Sequence, residues 1–155
     1  MGYDVKVETA SSSRTVVVPA LTTWHEFPQL WSVLLDEVWT CLRANGITCG
    51  CRNVMVYADD DSRVRIEVGV ATQHDFPLTG RVVVSQLPAG PVTKTLHRGA
   101  YSNLGDAHQA VVRFCEDNRL RRTGRRWERY GPHSDDPAQI WVEVCHELAD
   151  DVISP

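Results

Sequence analysis

The feature that most restricts how this chain can fold is an order of elements that runs through it twice. In the first half, residues 5–8 and 14–18 are β-branched runs separated by Ser11-Ser12-Ser13, which reads as a strand pair around a turn. Pro28 suits a first helical turn, and Leu30, Leu34, Val38 and Leu42 then recur every four residues until Asn45-Gly46 supplies a stop. Strands are predicted at 53–58 and 63–72, joined by Asp59-Asp60-Asp61. The second half begins with strands at 80–87 and 92–97 about Pro88-Ala89-Gly90-Pro91. Ser102 or Asn103 then caps a helix running to about Asn118 with Ala107, Val111 and Phe114 as its inner stripe. Strands at 126–131 and 140–148 close the chain around 133–137.

The halves can be aligned. Asn45 and Asn118 end the helices 73 positions apart, and Tyr57 and Tyr130 keep the same offset. Glu67 and Glu143 are 76 apart, as a longer second turn requires. A strand–strand–helix–strand–strand unit cannot cover its own sheet unless the helix lies on one face. The pattern therefore predicts an α+β fold: a tandem pseudo-twofold ββαββ repeat forming an antiparallel sheet, with two helices on one face and a ligand groove between the halves. Residues 1–155 form one domain, with a first repeat at about 1–78 and a second at about 79–155.

Composition sets the remaining bounds. With 43% hydrophobic and 23% charged residues in 155, the chain is of ordinary globular make-up. Its formal charge of −4 makes it a poor binder of nucleic acid, which needs phosphates neutralised. No apolar run reaches the ~20 residues of a membrane helix, and the N-terminus lacks a signal-peptide pattern, so a cytoplasmic protein is expected. Five cysteines form no disulfide framework and imply a reducing compartment. Cys49-Gly50-Cys51 is more closely spaced than paired zinc ligands usually are, and Cys41 or His97 would be needed to make a metal site. Ordinary reduced thiols are the reading preferred, so no metal or cofactor is expected.

Strand alternation sorts the candidate site residues. Val142, Val144 and Leu148 share a face with Ile140, leaving Trp141, Glu143, Cys145 and Glu147 on the other. With Val54, Val56, Ile66 and Val68 assigned inward, Met55, Tyr57 and Glu67 point away from the helices, and Glu128 and Tyr130 are grouped with them. Rings beside carboxylates suit a groove that sandwiches a flat ligand and attracts a cation, whereas a simply solvated sheet face accounts equally for scattered Glu and Tyr.

Several of these segments resemble the GyrI-like domain, the effector-binding domain of AraC- and MerR-type bacterial regulators. They are Glu67-Val68-Gly69-Val70, Leu87-Pro88-Ala89-Gly90, residues 97–104 (HRGAYSNL), Trp127-Glu128-Arg129-Tyr130 and Val142-Glu143-Val144-Cys145. The resemblance implies binding of lipophilic, aromatic or cationic small molecules, as in drug or toxin resistance, through rings and buried glutamates. By motif it places Glu128, Tyr130, Glu143 and Tyr101 in the groove; Tyr57, Glu67, Trp141, Met55 and Cys145 join them from the alternation. Cys145 departs from the aromatic frequent at that position. Regulators of the family carry a helix-turn-helix domain first; here the first strand starts at about Tyr3, so a stand-alone ligand domain is expected. The resemblance also implies an alternative, a hydrolase opening cyclopropane-containing DNA-alkylating natural products. Glu143 would then be the base, and Tyr130, Tyr57 or Tyr101 the donor. A second alternative is modulation of a protein partner such as DNA gyrase.

Other constellations are weaker. Arg119, Arg121, Arg122, Arg125 and Arg126 cluster without interleaved rings, as a solvated loop does. Cys145 and His146 are adjacent in a strand and so point to opposite faces, which argues against a thiolate–imidazole pair. No serine sits in an elbow motif, and no glycine-rich phosphate loop is present.

Overall fold

Proline and the four-residue apolar spacing place the first helix where they predict it. In a computed structural model, which describes residues 2–150, α1 spans Phe27–Ala44 with Pro28 in its first turn and Leu34, Val38, Cys41 and Leu42 buried. The second helix, α2 (Leu104–Asp117), follows a 3₁₀ turn at Tyr101–Asn103. Its buried stripe is Ala107, Val111 and Cys115; Phe114 is only half-buried, because the 107–111–115 spacing is the one that faces the sheet. No described helix is long and apolar enough to cross a membrane.

Both helices stop by the same device. After α1, the Gly46 N–H donates to the Arg43 carbonyl and the Ile47 N–H to the Leu42 carbonyl, with Gly46 in the left-handed region at φ 73°. After α2, Arg119 and Leu120 make the corresponding bonds to Glu116 and Cys115, but here the left-handed position, φ 55°, is held by an arginine. A Cβ in that region crowds its own backbone.

The eight strands are antiparallel, and each compact unit holds four of them with one helix. In the compact unit Ser12–Pro88 the strands are β2 (Ser13–Thr22), β3 (Arg52–Asp60), β4 (Arg63–Ala71) and β5 (Val83–Leu87), in the order β3-β4-β2-β5. The other unit joins the described parts of Met1–Ser11 and Ala89–Pro155. It orders β7 (Arg122–Tyr130), β8 (Trp141–Leu148), β6 (Gly90–Arg98) and β1 (Lys6–Ala10) as β7-β8-β6-β1. The expected hairpin about Ser11–Ser13 does not form: β2 has β4 on one edge and β5 on the other, so β1 pairs with β6 instead. Nor do β5 and β6 pair across Pro88–Pro91. The units thus differ from the sequence halves 1–78 and 79–155 by an exchange of first strands.

Ladder register corrects the assignment of faces. Residues directly opposite in antiparallel strands share a face. Met55 lies opposite Val68 and Tyr57 opposite Ile66, while Val54 and Val56 lie opposite Gly69 and Glu67. Trp39 of α1 donates its indole N–H to Asn53 Oδ1 at 2.8 Å, and Asn53 lies opposite Val70. The α1-covered face therefore holds Met55 and Tyr57, not Val54 and Val56. The same holds for Glu128 and Tyr130, which lie opposite Val144 and Val142; these valines pack with Ala107, Val111 and Cys115 of α2. The alternation failed because Val54, Met55, Val56 and Tyr57 are all buried, so period two carries no information there.

Replacing Arg119 with glycine relieves the left-handed strain at the end of α2. Arg119→Gly is expected to stabilise the fold by about 0.5–1 kcal/mol in urea unfolding, the reverse of the usual effect of introducing glycine.

Candidate functional site

Three sequence-predicted residues come together at one end of α2. Glu128 is 5% exposed in β7; the Tyr130 hydroxyl donates to its Oε1 at 2.6 Å. Tyr101, in the 3₁₀ turn before α2, is 39% exposed; its ring lies 5.9 Å from that of Tyr130 and stacks on His133. An accessible ring thus lies over a second ring, which in turn caps a buried carboxylate.

The carboxylate has a further partner that the sequence reading passed over. His108, on α2, approaches Glu128 Oε2 with its Nε2 at 2.6 Å, and its Nδ1 lies 2.9 Å from Nε2 of His146 in β8. His146 is 2% exposed, and its Nδ1 has no hydrogen-bond partner. Burial first, then His108 and the cations Arg122 and Arg126, lower its pKa from 6.5 to about 3. The imidazole therefore remains neutral in ordinary buffers. Burial and then the Glu128 carboxylate push the Tyr130 hydroxyl far up, so it stays a donor. Both histidines were legible: alternation puts His146 on the face of Val142 and Val144, where a polar ring requires a partner, and His108 adjoins the stripe residue Ala107.

Glu143, Cys145 and Trp141 lie on the opposite face of β8 from this cluster. Glu143 pairs with Lys94 at 3.5 Å, and Lys94 also meets Glu8 at 3.6 Å. Burial works against the Lys94 charge, but Glu143 and Glu8 outweigh it and raise its pKa. Burial drives the Cys145 thiol up to about 12, with Lys94 working in the opposite direction. Trp141 lies over Gly131, where a Cβ would enter the indole ring. In the other unit, Met55 and Tyr57 join a different group: the Tyr57 hydroxyl donates to Met55 Sδ at 3.4 Å, and its ring meets Trp24 at 5.4 Å and Phe27 at 5.6 Å. Glu67 stands apart from them, opposite Val56 and Pro19 on the face that α1 does not cover.

The remaining motifs have structural uses. His97 is bonded through its two ring nitrogens to the Tyr3 hydroxyl and the Ala100 carbonyl, both at 2.9 Å. Cys41 donates to the Pro77 carbonyl at 3.6 Å. The arginine run contains an irregularity in the β7–β8 ladder between Arg122 and Arg126, with Gly124 at φ 97°.

The neutral, buried His146 fixes a pH dependence. Below pH 6.5 the unfolded chain takes up a proton at this position that the native chain refuses until about pH 3, so stability is lost as pH falls through that window. The His146 contribution to this loss is about 2 kcal/mol between pH 6.5 and 5, and urea unfolding of His146→Val should lack it. Cysteine accessibility separates the thiols: Cys49, exposed, should be alkylated by iodoacetamide at pH 8, whereas Cys145 should react only after unfolding.

The pattern of a family described as the GyrI-like small molecule binding domain matches residues 3–148. The C-terminal domain of EcmrR shares 16% identity and the fold at a TM-score of 0.77, with 97% of this chain and 99% of that one covered. SAV2435 bound to tetraphenylphosphonium shares 13% identity at a TM-score of 0.69, over 96% of this chain and 94% of that one. A hydrolase from Listeria innocua shares 14% at 0.58, over 96% and 93%. At these identities the likeness is one of fold. No curated protein sequence matches the chain.

Proposed function

The chain belongs to the GyrI-like small-molecule binding domain family, and on that footing we propose that it binds a lipophilic aromatic cation, as a drug or toxin, at the Tyr101–Tyr130–Glu128 corner. One observation carries this reading: a carboxylate almost withdrawn from water, held at 2.6 Å by a tyrosine hydroxyl, beneath a ring that solvent still reaches. Low exposure strengthens the attraction of a carboxylate for a ligand cation, and the ring offers it an electron-rich face. Tetraphenylphosphonium, bound by the structurally similar SAV2435, has this chemistry. Glu128, rather than Glu143, is taken as the operative carboxylate, because Glu128 is bonded to Tyr130 beneath Tyr101 whereas Glu143 lies on the opposite face of β8.

A second reading rests on the pairing of Tyr130 with Glu128 and on the likeness to a hydrolase from Listeria innocua. Glu128 accepts a proton from an attacking water, while a tyrosine hydroxyl donates to the oxygen on which charge develops as a strained cyclopropane ring opens. Formation of a water adduct from a spirocyclopropyl substrate, lost in Glu128→Gln, distinguishes turnover from capture.

Calorimetric titration with tetraphenylphosphonium at pH 8 checks the binding reading. Glu128→Gln should weaken binding by about 1–3 kcal/mol, the scale of a lost charged contact, and Glu143→Gln by much less. Failure of the unsubstituted protein to bind, or equal losses in the two variants, overturns it.

A further inference from the structure

The repeat provides an internal comparison for the buried polar cluster. Glu128 opposite Val144 corresponds in register to Met55 opposite Val68, and Arg126 opposite His146 to Asn53 opposite Val70. On the helices, buried Ala107 and Val111 correspond to Leu34 and Val38, which places His108 at the position of Leu35. Glu128, His108 and His146 therefore stand where the other unit has Met55, Leu35 and Val70. Even the tyrosine is kept: Tyr57 donates to Met55 Sδ as Tyr130 donates to Glu128. One unit closes its sheet under its helix with three apolar side chains, so packing does not require three polar ones in the other.

Hydrogen-bond accounting shows what the polar set can do. With Glu128 ionised, His108 Nε2 must donate to it, since a carboxylate only accepts. When His108 is neutral, its Nδ1 accepts, and His146 carries its hydrogen on Nε2. When His108 is protonated, its Nδ1 donates, and His146 carries its hydrogen on Nδ1 instead. Both states keep every bond of the chain; in both, the unpartnered atom is His146 Nδ1. His146 is thus a neutral tautomeric partner that lets His108 gain or lose a proton with no bond lost. Other ionisable groups around these residues include Tyr130, whose own neighbours include Tyr101, and Arg122 and Arg126, which bear on His146.

Resting on the cation-binding reading above, we propose that His108 and His146 are positioning residues that make Glu128 a proton-exchanging cation site. In the acid state the His108 cation compensates Glu128. A ligand cation takes its place: the His108 Nδ1–H bond breaks as its proton passes to His146 Nε2, the hydrogen on His146 Nδ1 is given up to water, and the ligand pairs with the carboxylate. Two cations beside one secluded carboxylate repel each other, so ligand and proton exclude one another. The arrangement selects charge: a neutral ligand of the same shape displaces no proton.

Tetraphenylphosphonium titrations from pH 8 to pH 5, in buffers of different ionisation enthalpy, count the protons released. Affinity should fall on acidification, toward tenfold per pH unit, with about one proton released per ligand bound over the range in which it falls. His108→Gln keeps a donor toward Glu128 but cannot titrate; it should still bind at pH 8 with the acid loss abolished. In the ligand-free protein, imidazole ¹⁵N shifts should show the His146 hydrogen moving from Nε2 to Nδ1 on acidification, and His108→Gln should stop it. Affinity independent of pH, equal proton release in His108→Gln, or a fixed His146 tautomer overturns the relay while the binding reading stands. No binding at any pH, with the tautomer change intact, overturns the cation reading and the exchange with it.

Discussion

The pairing of β7 with β8 decides which side chains lie under α2. Because Tyr130 lies opposite Val142 and Glu128 opposite Val144, a carboxylate and a phenol are carried under α2 into the apolar layer. A shift of one residue would turn Trp127 and Arg129 toward the helix and leave Glu128 on the other face. Once Glu128 lies under the helix, burial requires hydrogen-bond partners, and Tyr130, His108 and His146 follow as a connected set.

The same register operates in the other unit with different contents. Asn53, Met55 and Tyr57 occupy the places of Arg126, Glu128 and Tyr130, and the helix above them offers leucine rather than histidine. Buried ionic groups are weak evidence for stability, since apolar replacements of similar size are often neutral or better. Here the comparison is supplied within one chain, under one set of solvent conditions. It shows that packing does not require the polar cluster, which is the ground of the proposal made for it, and it leaves the Trp24–Phe27–Tyr57 ring group as packing at the start of α1.

Much of the architecture was legible in the sequence. The helices, their stops and the strands after each helix follow from apolar spacing, Asn-Gly and Asn118, and the acidic turns. What failed was strand partnership and facing. Neighbouring runs such as those around Ser11–Ser13 look like a hairpin locally, but partnership is settled by which edges remain open, and both edges of β2 are taken. Facing failed in β3 because both faces are buried, so four consecutive apolar residues conceal their own phase. The candidate site was legible in its carboxylate and tyrosines, Glu128, Tyr130 and Tyr101. The positions of the histidines were legible, His146 on the Val142–Val144 face and His108 beside Ala107, but their link to Glu128 was not. It depends on α2 bringing His108 to Glu128 and His146, a relation that no linear spacing expresses.

The exchange of first strands has a consequence for how the chain reaches its native state. One unit, Ser12–Pro88, is continuous, and its pairings can form as soon as it leaves the ribosome. The other is assembled from two separated stretches, because β1 must wait for β6, from Lys6 to Lys94, before it has a neighbour. That long closure makes this split unit the later and slower one to order, with the finished unit tethering its two parts in the meantime. A nascent chain halted before β6 therefore carries a folded half and a strand in search of an edge, the condition in which chains exchange strands with one another.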